Sequence, residues 1–256
     1  MNKQNWAVIV GGSSGMGKES AKLLAEKGHS LMLIAREPGQ LEKTKIELMG
    51  LNSKIEVEAH SVDLYDKVQT QSLIQKISSD KRYFKYLINA AGYFKPVSFL
   101  EHTEADYNSQ LDINKSFFFI TQAVAKNMKT NGGGNIVNIG SMWAHQAIKA
   151  TPSSSYSMQK AGLHSLTQHL AMELAEYNIR VNAVAPAVVL STIYKSFIEK
   201  DKIEESLSSF NGFHPIGRIG KAQDIAQAID FLLSEKSSWI TGEILNIDGG
   251  VMAGRN

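Results

Sequence analysis

Seven short apolar runs punctuate the chain, at Trp6–Val10, Leu31–Ala35, Ile55–Ala59, Tyr86–Ala90, Ile136–Ile139, Ile179–Ala183 and Ile244–Ile247, with longer stretches of helical periodicity between them. A strand that is apolar throughout, rather than at alternate positions, is buried on both faces. Strands that alternate with helices join in parallel through crossovers. The pattern therefore predicts an α/β fold, a doubly wound seven-stranded parallel sheet with helices on both faces. No repeat or linker interrupts the series, so residues 1–256 are expected to form one domain. Residues 190–220 fit the pattern poorly and are expected to be a mobile excursion over the site.

Composition narrows the function without naming it. With 256 residues, 43% of them hydrophobic, the chain can bury one substantial core. A net charge of +2 gives no electrostatic case for nucleic acid or an anionic membrane, and a small molecule is the expected partner. The chain has no cysteine, which excludes disulfides, thiolate nucleophiles and cysteine-based zinc sites. The seven histidines are scattered without ligand spacing, so no metal is expected. The N-terminal MNKQN leads into an apolar run too short for a signal segment, and no run is long enough to span a bilayer. A cytoplasmic protein is expected.

The first strand ends in Gly11-Gly-Ser13-Ser14-Gly15-Met16-Gly17, and a helix follows through Ala21, Leu24 and Ala25 to Gly28. Glycines at a strand-to-helix turn let backbone approach a pyrophosphate, and the helix N-terminus supplies N–H groups and partial positive charge. After the second strand, where an acid would meet a ribose hydroxyl, stands Ala35-Arg36. Arg36 suits a 2′-phosphate, so NADP(H) is favoured over NAD(H); the other reading is a solvated charge neutralised by Glu37. Asp63-Leu64 follows the third strand, where such a pair can receive an adenine. Asn89-Ala90-Ala-Gly92 ends the fourth and brings backbone close to the cofactor. The long helix from Glu104 to Met128 carries Asn114, either a satisfied core amide or the holder of a water. Its run Phe117–Ile120 widens the apolar arc beyond one face.

Tyr156 and Lys160 are four residues apart, which on a helix puts phenol and ammonium on one face. A neighbouring cation favours phenolate and is expected to lower the phenol pKa toward the range of a working acid/base. With eight tyrosines in a lysine-rich chain such a pair arises easily by chance, so its company decides its weight. That company includes Ser141, just beyond the fifth strand, at the sheet end where open α/β folds bind ligands.

Taken together, the order Gly11-x3-Gly15-x-Gly17, Asn89-Ala-Ala-Gly92, Asn114, Ser141, Tyr156-x3-Lys160 and Pro186 resembles the short-chain dehydrogenase/reductase family across essentially the whole chain. Ile216-Gly-Arg-Ile-Gly and Asn246-Ile-Asp-Gly-Gly250 look like its compact members, in particular reductases of the 3-oxoacyl-carrier-protein type. The resemblance implies a Rossmann-type, nicotinamide-dependent oxidoreductase that reduces a carbonyl to an alcohol. Tyr156 would be its acid/base, Lys160 would tune the phenol and hold the ribose, Ser141 would orient the carbonyl, and Asn114 would hold a relay water. Pro186 and Val189 would face the nicotinamide, and the assembly would be a homotetramer. The chain departs from the family at Val10, Ala90 and Ala187, where a threonine, an asparagine and a glycine are usual, and Ala187 puts contacts from Val189 onward in doubt. Tyr93, Trp143 and Tyr194, with Phe94, His145, Phe197 and Phe210, are candidate substrate contacts. The alternatives are an NAD-dependent alcohol, sugar or steroid-type dehydrogenase, and a nucleotide-sensing protein without catalysis.

Overall fold

The computed structural model describes residues 4–149 and 151–254; Met1–Lys3, on which part of the N-terminal reading rests, and Ala150 lie outside them. Seven strands form one parallel sheet: β1 (Asn5–Val10), β2 (Ser30–Ala35), β3 (Val57–Ser61), β4 (Tyr83–Asn89), β5 (Gly134–Ile139), β6 (Ile179–Pro186) and, last in the chain, β9 (Ile244–Ile247). Their order is β3-β2-β1-β4-β5-β6-β9. Chain direction across the sheet reverses between β1 and β4, and at such a switch point the crossovers leave on opposite faces and open a crevice at the strands' carboxyl ends.

Successive side chains of each strand enter different cores. Val8, Val10, Met32, Ile34, Leu87 and Ile136 join one cluster with α3 (Lys67–Ser79), α4 (Glu104–Thr130) and α5 (Ser154–Leu174). Ala7, Ile9, Leu31, Leu33, Ile88 and Val137 join the other with α1 (Gly15–Glu26), α2 (Pro38–Leu51) and α7 (Ala222–Leu233). This period-2 division explains why the strands are apolar without alternation.

Several strand boundaries differ from the apolar runs. Ile55 is buried but precedes β3, which starts at Val57. Strand β4 begins at Tyr83, earlier than expected, because Lys85 breaks the apolar run; it stops at Asn89, before Ala90. Strand β6 runs on to Pro186, a tolerable place for a residue without an N–H because it is the terminal rung, opposite Ile247. The run Phe117–Ile120 also splits: Phe117 and Ile120 are fully buried, whereas Phe118 and Phe119 are exposed.

The excursion has structure of its own. It holds the two-residue strand β7 (Val189–Leu190), a 3-10 turn (Thr192–Ser196), α6 (Ile203–Ser208) and strand β8 (Gly220–Lys221), which pairs with β7. Val188, Ile203 and Leu207 form its core, with Trp143, Tyr194, Ile198, Phe210 and Phe213 packed around them.

Candidate active site

The turn after β1 is formed by removing side chains. Gly11 has φ +88°, and a Cβ there would lie 2.5 Å from the Ala91 nitrogen; one on Gly17 would lie 2.4 Å from the Gly11 oxygen. Gly15 also has positive φ. Ser14 is the N-cap of α1 but its side chain does not cap the helix, and no acid occupies the first turn. The leading N–H groups of α1 are thus left for an anion, which fits the pyrophosphate of a dinucleotide. Ser13 is buried, and its carbonyl accepts from Thr44 Oγ1 and Gln40 Nε2, which ties the turn to α2. Met16 packs against the second core. Ala90 adjoins the turn, its N–H donating to the Val10 carbonyl at 2.7 Å.

Arg36 stands at the end of β2 with its side chain exposed and its Nε 3.6 Å from a Glu37 oxygen. Its carbonyl accepts from Ser61 Oγ. The Asp63 carboxylate accepts from the Tyr65 N–H, and the Leu64 carbonyl accepts from the Ser116 hydroxyl, so both lie in a braced turn after β3. Asn89 points its amide into the protein. Nδ2 donates to Thr121 Oγ1 and to Asn138 Oδ1, and Asn138 Nδ2 donates to Thr167 Oγ1, a polar tie joining α4, β4, β5 and α5 beneath the site. Only the backbone of this segment is left to face a cofactor.

Ser141 lies two residues beyond β5 and is almost fully buried. Its Oγ accepts the Trp143 N–H at 3.3 Å, which leaves the hydroxyl proton for another partner. Lys160 is also buried and donates to the Ile139 carbonyl at 2.8 Å, with its ammonium 5.6 Å from the centroid of the Tyr156 ring. The three side chains therefore meet at the carboxyl end of β5. Their titration departs from the sequence expectation. Burial pushes the Tyr156 phenol up to about 12, a hydrogen bond with Ser141 working in the opposite sense, and burial pushes Lys160 down to about 8. Desolvation of the phenolate outweighs the Ser141 hydrogen bond. Asn114 lies on α4, facing α5; its Nδ2 donates to the Gln159 carbonyl, and its Oδ1 accepts from the Gln159 side chain.

Aromatic rings wall the phenol. Phe94 meets Tyr156 edge-on at 4.8 Å between centroids, Phe197 meets Phe94 at 5.7 Å, and Tyr194 follows at 6.0 Å from Phe197. Burial and Tyr156 push the Tyr194 phenol up, while the Val189 backbone hydrogen-bonds to it. Phe94, the neighbour of candidate Tyr93, takes the place against Tyr156. Trp143 joins the excursion's core, and its buried Nε1 has no partner. Phe210 packs on Phe213, within that core. The excursion reaches back to the cradle through Ser14 Oγ and Thr192 Oγ1, 3.1 Å apart, and Ser196 Oγ donates to the Phe94 carbonyl. Pro186 ends β6, and Val189 is buried in β7.

Sequence reasoning passed over two residues here. Gln159 holds Asn114, and His164, one helical turn beyond Lys160, accepts the backbone N–H of Ser141. Position i+4 from Lys160 was the available signal for His164. Among the described residues no cluster of metal-ligating side chains is present, and no helix is long and apolar enough to cross a membrane.

A switch-point crevice, a glycine turn open to an anion and a Ser-Tyr-Lys set at the carboxyl end of β5 fit a nicotinamide-dependent oxidoreductase. The comparisons agree. Residues 10–252 match the family model described as enoyl-(acyl carrier protein) reductase. The chain is 32% identical to the 3-oxoacyl-(acyl-carrier-protein) reductase FabG of Thermotoga maritima over 247 residues, 96% of each chain. It is 34% identical to the 7alpha-hydroxysteroid dehydrogenase of Escherichia coli, covering 95% of this chain and 92% of that one. Levodione reductase superposes with a TM-score of 0.89 at 28% identity over 99% of both chains. A Beutenbergia cavernae protein solved with bound NADP gives 0.86 at 25% identity, over 99% of this chain and 98% of that one. The chain belongs to the short-chain dehydrogenase/reductase family, whose members bind nicotinamide cofactors and act on small molecules.

Proposed function

We propose that the protein is a cytoplasmic, NADPH-dependent reductase that converts a small-molecule carbonyl to a secondary alcohol, with residues 1–256 as one dinucleotide-binding domain. The observation that carries this reading is the convergence of buried Ser141 and Lys160 with half-buried Tyr156 at the carboxyl end of β5.

The turn Gly11–Gly17 would hold the pyrophosphate on backbone N–H groups, with Ser13, Ser14 and Met16 beside it. Asp63 and Leu64 would border the adenine, the backbone of Asn89, Ala90 and Gly92 the adjacent ribose, and Pro186 and Val189 the nicotinamide. When bound, NADPH supplies the hydride. Ser141, which hydrogen-bonds the phenol in the absence of substrate, turns its hydroxyl proton to the substrate oxygen and fixes it beside the phenol. Tyr156, kept protonated by burial, passes its proton to that oxygen as negative charge develops there. Lys160 stabilises the phenolate left behind. Gln159 engages one N–H and one lone pair of the Asn114 amide, which leaves its second N–H and second lone pair for a relay water. Phe94, Phe197, Tyr194 and Trp143 present an apolar wall to the rest of the substrate.

Arg36, exposed and backbone-held, supports NADPH. Its contact with Glu37 supports the second reading, an NAD-dependent dehydrogenase. Relatives named for acyl, steroid and sugar-alcohol substrates leave the carbonyl class open. A panel of ketones and alcohols offered with NADPH and NADH, read by nicotinamide absorbance, tests the reading; turnover of none of them contradicts it. Exposed Phe118 and Phe119, whose rings meet at 5.3 Å, support a homotetramer, and a stable monomer in light scattering opposes it.

A further inference from the structure

Behind Ser141 lies a histidine to which the reading above gives no role. His164 is 5% exposed, on α5, one turn beyond Lys160. Its Nε2 accepts the backbone N–H of Ser141 at 3.3 Å. The ring sits so close to the chain that a Cβ on Gly140 would lie 1.9 Å from Nε2. Glycine at 140 and histidine at 164 are thus one fitted pair, the missing side chain of the first making room for the ring of the second.

An imidazole nitrogen that accepts an N–H carries no proton, so the neutral ring holds its hydrogen on Nδ1. That nitrogen is buried without a partner, as are Asn89 Oδ1, Gln110 Oε1 and Trp143 Nε1 among the described residues. Leaving a buried donor unpaired is costly, and an aliphatic side chain would fill the same space without that cost. What it would lose is the acceptor for Ser141. The titratable groups that face the ring are His145, on the turn after β5 with its centroid 4.7 Å away, and Lys160, on the preceding turn of α5. Burial first, then these two, hold the imidazole well below its usual range, at about 4, which keeps Nε2 free to accept. A protonated ring would set one N–H against another and push Ser141 off its position.

We propose that His164 is a positioning residue: through its unprotonated Nε2 it fixes the Ser141 backbone, and so aims the Ser141 hydroxyl at the substrate oxygen. The inference rests on the role given to Ser141 above.

Three variants and one spectroscopic measurement test it. In His164→Leu the ring volume is kept and the acceptor lost; kcat for carbonyl reduction should fall roughly 10-fold or more, the scale of an orphaned buried N–H, while KM and Kd for NADPH stay unchanged. In His164→Gln the amide oxygen reaches the position of Nε2, and activity should return to within about threefold of wild type. Ser141→Ala separates the two ideas: full activity in that variant overturns the role of Ser141 and the His164 proposal with it, whereas loss there with full activity in His164→Leu overturns only the latter. If His164→Leu fails to fold, nitrogen-15 NMR of histidine-labelled wild type decides. The Nδ1–H tautomer at neutral pH, with Nε2 unprotonated, is the expected result, and an Nε2–H tautomer overturns the proposal.

Discussion

The turns after β1 and after β5 lie at the same end of the sheet and are built in opposite ways. The first is a cavity in the sequence: Gly11, Gly15 and Gly17 withdraw side chains so that backbone and a helix terminus are exposed to a ligand. The second is crowded. Around the single Gly140 it gathers Ser141, Lys160 and His164, with Tyr156 half-buried above them, each held by contacts from distant parts of the chain. A phosphate is recognised by donors that every peptide unit carries, so its site needs only the right backbone path. Proton transfer needs a chosen pKa and a chosen direction, and those come from side chains in a low-dielectric setting.

If this division is right, the two turns fail differently. At the crowded turn, Tyr156→Phe removes a proton and little else, so turnover should fall about 10²–10⁴-fold while NADPH titrated by fluorescence binds nearly as before. A folded variant with near-normal turnover would remove the phenol from the chemistry. At the open turn, Gly11→Ala meets the Ala91 backbone and a left-handed φ together. It should cost about 1–3 kcal/mol of stability in denaturant titration, with cofactor affinity falling in step; unchanged binding would show that the turn is not the cradle. An effect of similar size is expected at the periphery, where Arg36 is two-thirds exposed and screened by solvent. A charged hydrogen bond there is worth about 1.5–3 kcal/mol, so wild type should favour NADPH over NADH by roughly 10- to 100-fold in kcat/KM. Ala35→Asp combined with Arg36→Leu should reverse that ratio, and an unmoved ratio would leave Arg36 as a solvated charge.

The same contrast explains what could be read from the chain. Strands buried on both faces announce themselves, and a glycine turn is local, so the sheet and the turn after β1 were legible from Val10, Gly11 and their neighbours. Errors arose where a polar residue sits inside a strand, as Lys85 does in β4, or where an element is two residues long, as in β7 and β8. On α5 the i+4 spacing placed Tyr156 beside Lys160, but the direction of the phenol pKa depended on burial that no spacing reveals. The tie from Asn114 to Gln159 and that from Ser141 to His164 span 45 and 23 residues, and such pairings exist only once the helices have packed. Phe118 and Phe119 could not be told from Phe117 and Ile120 by composition; the phase of α4 separates them.

The central claim is that the cradle and the phenol cooperate to move hydride to a carbonyl carbon. NADPH deuterated at the reactive nicotinamide position, incubated with wild-type protein and a ketone from the panel that it turns over, puts this to the test by mass spectrometry of the alcohol. The expected product carries one deuterium on its carbinol carbon and a solvent proton on its oxygen, and the rate of its formation collapses in Tyr156→Phe. Alcohol formed without the label, or labelled alcohol formed as fast by Tyr156→Phe, would contradict the account.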